Sequence, residues 1–206
     1  MSASTSNVTE LASYRRAEAT EPGSDGAAEI EDDTLVLRYR AGDQAAFTQL
    51  YERYKGPLYR YFLRQTGEAQ AQDCFQETWA KLLDTLERYH ARGTFQAYLF
   101  RIGHNVLMDH FRRDRRFTQP LPELEEPASG QVEAGEALDE KRRLARLYEQ
   151  IGKLPLAQRS AWLLQQESEL SLQEIADLTN ATVEAVKSRL RYAKNKLQAG
   201  MARHER

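Results

Sequence analysis

Apolar residues recur along this chain at three- and four-residue steps, and no stretch shows the β-branched alternation of a strand. That period belongs to helices with one buried face, so the pattern predicts an all-α protein. Phe47, Leu50, Tyr51, Tyr54, Leu58, Tyr61 and Phe62 place a helix over about 43–65. Phe75, Trp79, Leu82, Leu83 and Leu86 place another over about 69–89. Further helices are predicted over about 95–115, 138–153 and 156–167. Asp32-Asp33-Thr34 offers caps for a short first helix through Leu35, Val36 and Leu37. Gly56-Pro57 interrupts the 43–65 pattern. A residue before proline is pushed away from helical angles, so a kink or break is expected there.

The last part of the pattern is more specific. Residues 171–191 read as a short helix, a tight turn and a second helix carrying basic residues. Asn180 falls where the chain needs a left-handed residue, and asparagine tolerates that conformation. Thr182 can cap the helix that follows. Ile175, Ala176, Leu178, Val183, Val186 and Leu190 supply the apolar faces, leaving Lys187, Ser188, Arg189, Arg191 and Tyr192 for an outer face. This is the shape of a helix-turn-helix whose second helix enters the DNA major groove. An ordinary helical hairpin would show the same periodicity.

Charge changes the picture more through its distribution than its sum. A net charge of only −2 runs against a nucleic-acid binder, but the charge is segregated. Residues 1–34 carry a net −6, residues 35–117 +5, residues 118–140 −7 and residues 141–206 +6. Two basic modules are thus separated by an acidic connector and preceded by an acidic tail. The expected organisation is a disordered acidic tail at 1–31, a helical domain at 32–117, a flexible acidic linker at 118–140 and a helix-turn-helix domain at 141–201. The linker is set apart by Pro120, Pro122, Pro127, Gly130 and Gly135 among its acids. No apolar run is long enough to cross a bilayer, and the first residues lack the apolar core of a secretory signal. Cys74 is the single cysteine, so an internal disulfide framework is excluded and a reducing, cytoplasmic setting is expected.

Candidate chemistry is that of binding. Phe95, Tyr98 and Phe100 interleave with His90, Arg92 and Arg101, a pattern suited to unpaired nucleic acid, where flat side chains stack on bases and cations hold phosphates. These three aromatics cannot all face one way on a helix, so one or two of them belong to the core. Asp73, Gln76, Glu77 and Thr78 lie on a polar face beside Trp79, a patch suited to a protein partner bearing basic residues. An enzyme such as a recombinase would need a nucleophile or a metal-binding carboxylate cluster. His104 and His110 share no helix face well enough to chelate a metal, and Cys74 reads as a buried apolar cysteine. No catalytic residue, metal ligand or cofactor is assigned, and the chain is not expected to be an enzyme.

Several segments, in order, resemble bacterial RNA polymerase sigma factors of the sigma-70 family's small, extracytoplasmic-function type. Ala71-Gln72-Asp73-Cys74-Phe75-Gln76-Glu77-Thr78-Trp79 resembles the family's polymerase-clamp-binding helix. Phe95-Gln96-Ala97-Tyr98-Leu99-Phe100-Arg101-Ile102-Gly103-His104-Asn105 resembles the segment that opens and reads the −10 promoter element, with Tyr98 in place of the usual Trp and Phe100 in place of Tyr. Asp109-His110-Phe111-Arg112-Arg113 resembles the Asp-x-x-Arg-Arg that follows it. Leu154-Pro155, Glu174-Ile175-Ala176 and Val186-Lys187-Ser188-Arg189-Leu190 resemble the −35-reading domain. Asn180 stands where the family usually has Gly, and Tyr192 where it often has Arg, which bears on the −35 sequence read.

The resemblance implies two small helical domains joined by a flexible linker, with core RNA polymerase and promoter DNA as partners. Asp73, Gln76, Glu77, Thr78 and Trp79 would meet the polymerase. His90, Arg92, Tyr98, Arg101, Asn105, Asp109, Arg112 and Arg113 would meet −10 DNA. Thr182, Lys187, Ser188, Arg189, Arg191 and Tyr192 would meet the −35 element. Family members are often held inactive by an anti-sigma protein. The competing reading is a stand-alone helix-turn-helix regulator that binds a palindrome as a dimer.

Overall fold

The computed structural model describes residues 30–89, 94–113 and 135–202, the side chains of 135–141 excepted. These residues form helices α1 (Asp32–Arg40), α2 (Gln44–Thr66), α3 (Glu68–Leu86), α4 (Phe95–Arg113), α5 (Gly135–Gly152), α6 (Leu156–Glu167), α7 (Leu172–Leu178) and α8 (Val183–Ala202), with no strand among them. The expected tail and most of the expected linker lie outside the described residues. The linker's last residues are helical, because α5 starts at Gly135 rather than near 138.

In the first half, α2 is the central element and packs against α1 and α3, while α4 closes over α3. Leu50, Leu58, Tyr61, Phe62, Leu82, Leu86, Phe95, Leu99, Phe100 and Leu107 are all buried there. The expected break at Gly56-Pro57 is absent, and α2 runs through Pro57. Pro57 forfeits one backbone hydrogen bond, a local cost of ~3 kcal/mol. The face on either side of it buries Leu50, Tyr54, Leu58, Tyr61 and Phe62, and each such side chain returns ~1.5–3 kcal/mol. Packing therefore overrides the local signal.

The expected caps of α1 also differ. Glu31 occupies the N-cap with no side-chain cap bond, and Asp32 instead accepts hydrogen bonds from Arg53 and Tyr54 of α2. These bonds fix α1 on α2. Between α2 and α3 the chain turns on Gly67 alone, at φ +97°, where any side chain would strain the backbone.

The second half is built on α8, which packs against α5, α6 and α7. Trp162, Leu163, Leu164, Ile175, Ala176, Val186, Ala193 and Leu197 form its core. α7 begins with a reciprocal cap. The Ser171 hydroxyl accepts from the Glu174 N–H at 3.2 Å, and the Glu174 carboxylate accepts from the Ser171 N–H at 2.9 Å. Asn180 takes the left-handed conformation at φ +49°, and Thr182 Oγ1 accepts from the Ala185 N–H at 3.1 Å, both as expected from the sequence. The two halves touch, α2 against α5 and α6, and α4 against α7.

Two of the positive-φ positions, Gly67 and Asn180, respond differently to substitution. Gly67→Ala should lower the unfolding free energy by ~1–3 kcal/mol, the cost of a side chain at φ +97°, ψ 171°, a backbone region open essentially to glycine alone. Asn180→Gly should change it by less than ~1 kcal/mol. Urea denaturation of both variants checks the contrast, and equal effects would contradict it.

Candidate nucleic-acid and protein interfaces

The polar patch on α3 is smaller than its sequence implies. Asp73 and Gln76 are exposed and Glu77 is partly so, at the i, i+3, i+4 spacing that puts them on one face. Thr78 is 0% exposed, and its hydroxyl donates to the Cys74 carbonyl at 2.7 Å, so its place on the polar face is corrected to the core. Trp79 is buried among Tyr51, Phe75 and Phe47, with the Tyr51 ring 4.9 Å away, and supports the patch from beneath. Cys74 is buried as expected, and burial, helped by the Glu77 and Asp73 charges, pushes its thiol up to about 12.

Glu77 is the most constrained member. Its carboxylate accepts from Lys81 at 2.7 Å and from His110 Nε2 at 2.9 Å. The bond from Lys81, followed by that from His110, holds its carboxyl below the usual range against the opposing effect of partial burial. His110 belongs to α4, so this contact joins the α3 patch to the neighbouring helix. In the sequence His110 stands out as a candidate metal ligand and as a member of the Asp-x-x-Arg-Arg segment, not as a partner of Glu77. Nothing in a single sequence marks two residues 33 apart as partners.

On α4 the three aromatics divide as expected. Phe95 and Phe100 are core, and Tyr98 is half-buried with its ring 4.9 Å from Tyr89. Arg101, Asn105, Asp109 and Arg112 follow one another at four-, four- and three-residue steps and form one ridge. Arg101, Asn105, Arg112 and Arg113 are exposed, and Arg112 donates to Asp109. Four residues mixing cations with an amide can hold phosphates and reach a base edge. His90 and Arg92 lie outside the described residues.

The face of α4 turned inward carries Gly103, His104 and Leu107. A side chain at Gly103 would place its Cβ 3.0 Å from Phe62, so glycine lets α4 approach α2 closely. His104 Nδ1 lies 2.8 Å from the Tyr61 hydroxyl. Burial, with the nearby Arg189 charge adding to it, pushes the His104 imidazole down to about 4.

On α8, Lys187 and Arg191 are exposed and four residues apart. Lys187 pairs with Glu184 at 2.8 Å, and the Arg191 guanidinium lies 5.3 Å from the centre of the Tyr192 ring, which is 54% exposed. Ser188 is half-buried beside them, and Thr182 caps the helix from its first turn. Arg189 lies about 200° around α8 from Lys187 by helix rotation and is half-buried, and its charge helps lower the His104 imidazole. The outer face is therefore Lys187, Ser188, Arg191 and Tyr192, a cationic ridge of the kind that fits a major groove. Among the described residues no group of His, Cys, Asp or Glu could hold a metal ion, and no helix is long and apolar enough to cross a membrane.

Among the described residues these are the surfaces of an all-helical DNA-binding protein with a separate acidic patch. The family descriptions Sigma-70 region 2 and Sigma-70, region 4 match residues 50–117 and 144–197. The chain is 32% identical over 183 residues to RNA polymerase sigma factor CnrH of Cupriavidus metallidurans, covering 83% of this chain and 94% of CnrH. It is 30% identical over 174 residues to RNA polymerase sigma factor NccH of Alcaligenes xylosoxydans xylosoxydans, covering 82% and 93%. The solved structure of CnrH in complex with the cytosolic domain of CnrY aligns with TM-score 0.60 and 27% identity over 82% of this chain and 95% of that one. The sigma factor RpoE of Bartonella quintana, in complex with the anti-sigma factor NepR, aligns with TM-score 0.62 over 76% and 96%, at 21% identity a likeness of fold. The chain belongs to the sigma-70 family of RNA polymerase sigma factors, in its extracytoplasmic-function group. It is a transcription initiation factor that directs core RNA polymerase to promoter DNA, and the dimeric-regulator reading is not favoured.

His104 gives a pH signature. Its imidazole titrates near 6.5 when unfolded and about 4 when folded, so the unfolded chain binds more protons between those values. The stability it contributes is whole above pH 6.5 and is lost as the pH falls toward 4, to an extent of about 3 kcal/mol. Carboxylates add slope of the same sign, so the comparison is with His104→Gln. The variant should lose less stability than the parent between pH 6.5 and 4 in denaturant titrations. Parallel curves would contradict the buried neutral imidazole.

Proposed function

We propose that the three surfaces divide the work of initiation. Asp73, Gln76 and Glu77 of α3 meet basic residues of the polymerase clamp, with Thr78 and Trp79 holding the helix that presents them. The α4 ridge meets the melted −10 strand, where Asn105 bonds a base edge and Arg112 and Arg113 hold phosphates. His90 and Arg92 precede that helix in sequence and extend the same contact. The outer face of α8 enters the −35 major groove, with Lys187, Ser188 and Arg191 at base edges or adjacent phosphates. The domains are 32–117 and 141–201, joined by the acidic segment 118–140, with the acidic tail 1–31 ahead of them.

The observation that carries this reading is the separation of charge by surface. Exposed cations on α4 and α8 suit DNA, and the exposed acidic patch on α3 suits protein. The chain acts without chemistry of its own and works in the cytoplasm, where the polymerase is. Two structural relatives were solved in complexes, CnrH with the cytosolic domain of CnrY and RpoE with the anti-sigma factor NepR. A protein inhibitor of the same kind is proposed for this chain.

Run-off transcription with core polymerase on a genomic promoter pool tests the reading. Glu77→Lys should abolish the complex with polymerase. Asn105→Ala or Lys187→Ala should cost ~1–3 kcal/mol at promoters carrying the contacted base and relax discrimination there. Arg113→Ala should weaken all promoters alike and flatten the salt dependence. A purified chain that starts no transcripts at any defined site, or that footprints a palindrome without polymerase, would overturn the assignment.

A further inference from the structure

The outer face of α8 is not uniformly polar. It carries one large aromatic, Tyr192, with 54% of its surface exposed. At about 100° per residue, the buried Val186, Ala193 and Leu197 fall within about 40° of one another around the helix. Ser188, Arg191 and Tyr192 lie about 120–160° from the middle of that cluster, so all three are turned away from the core. Ser188 and Tyr192 are four residues apart, about 6 Å of helix rise, and fit together in a major groove about 12 Å wide.

The ring is also held. The Arg191 guanidinium lies over it, 5.3 Å from its centre, close enough for attraction between the cation and the ring. Arg191 thus occupies one face of the ring, and the rest of it stays open. The other large apolar side chains of α8 turn inward, Val183 and Leu190 half-buried and Val186 and Leu197 buried. Tyr192 is therefore a single apolar surface set among polar and cationic neighbours on the ridge.

The four bases offer different things to such a ring. Guanine presents two acceptors in the major groove and is matched by a forked donor, which a phenol lacks. The one phenolic hydroxyl both donates and accepts, so it discriminates weakly among base edges. Thymine alone adds a C5 methyl to the groove, and apolar side chains meet it there. The ring, not the hydroxyl, is the part of Tyr192 that can tell bases apart.

We propose that Tyr192 reads a thymine of the −35 element through its C5 methyl, with Arg191 holding the ring in place. The inference rests on the entry of α8 into the −35 major groove, and it names what one position of that groove must contain.

Replacement of thymine by deoxyuridine tests it, because only the methyl is removed. The −35 element is first located by run-off transcription on the genomic promoter pool. Each thymine in it, on either strand, is then replaced in turn, and initiation is measured with the full chain and core polymerase below saturation. One position should lose about fourfold with the parent chain, the worth of one buried methyl group. Tyr192→Phe should keep that loss, and Tyr192→Ala should abolish it at that position only. Cytosine placed there should gain from 5-methylation with the parent and gain nothing with Tyr192→Ala. The absence of any uracil-sensitive position, a sensitivity that survives Tyr192→Ala, or one that Tyr192→Phe removes, overturns the thymine contact. Should Lys187→Ala and Arg191→Ala also leave initiation unchanged, the −35 placement of α8 itself fails, and the inference falls with it.

Discussion

A carboxylate taken out of water must be neutralised or met by positive charge. Glu167 is met by two arginines one turn apart on α2, more than a hundred residues earlier in the chain. The relative placement of the two halves depends on that match. Around it, Gln65, Ser160, Arg159 and Tyr148 complete a layer in which each buried polar group has a partner from across the boundary. An apolar boundary of the same extent would hold the halves together more tightly. A polar one fixes where they sit.

The fold was legible in the chain wherever a signal was local. The three- and four-residue recurrence located the helices, and the Asn180 turn and Thr182 cap came from residue chemistry at a fixed offset. Local signals failed where tertiary packing outweighed them. Pro57 did not break α2, because the residues around it are buried on one face. Asp32 left its capping role for Arg53 and Tyr54. The surfaces were read less fully for a related reason. Thr78 and Arg189 looked like surface residues by type, but a helix assigns its faces by rotation and by what packs on it. The partnerships of Glu77 with His110 and of Glu167 with Arg60 join distant positions, and no spacing rule marks them.

The same helices carry stability, recognition and restraint. The inner face of α4 supplies Phe100, Leu107 and the Gly103 contact to the core, its outer ridge presents Arg101 and Asn105, and its first turn abuts α7. α8 divides likewise between Val186, Ala193 and Leu197 inside, Lys187 and Arg191 outside, and Arg189 toward the other half. The α3 patch lies away from this boundary, with Asp73 and Gln76 exposed.

The placement of the two DNA-reading surfaces is most directly tested by the distance between the halves. Spin labels at exposed positions Asp84 on α3 and Lys194 on α8 would report it by pulsed dipolar spectroscopy, for the free chain and for the chain in an initiating complex with polymerase and promoter. The account predicts one short distance in the free chain and an increase of tens of ångströms in the complex. The same short distance in both states, or a broad long one in the free chain, would contradict it.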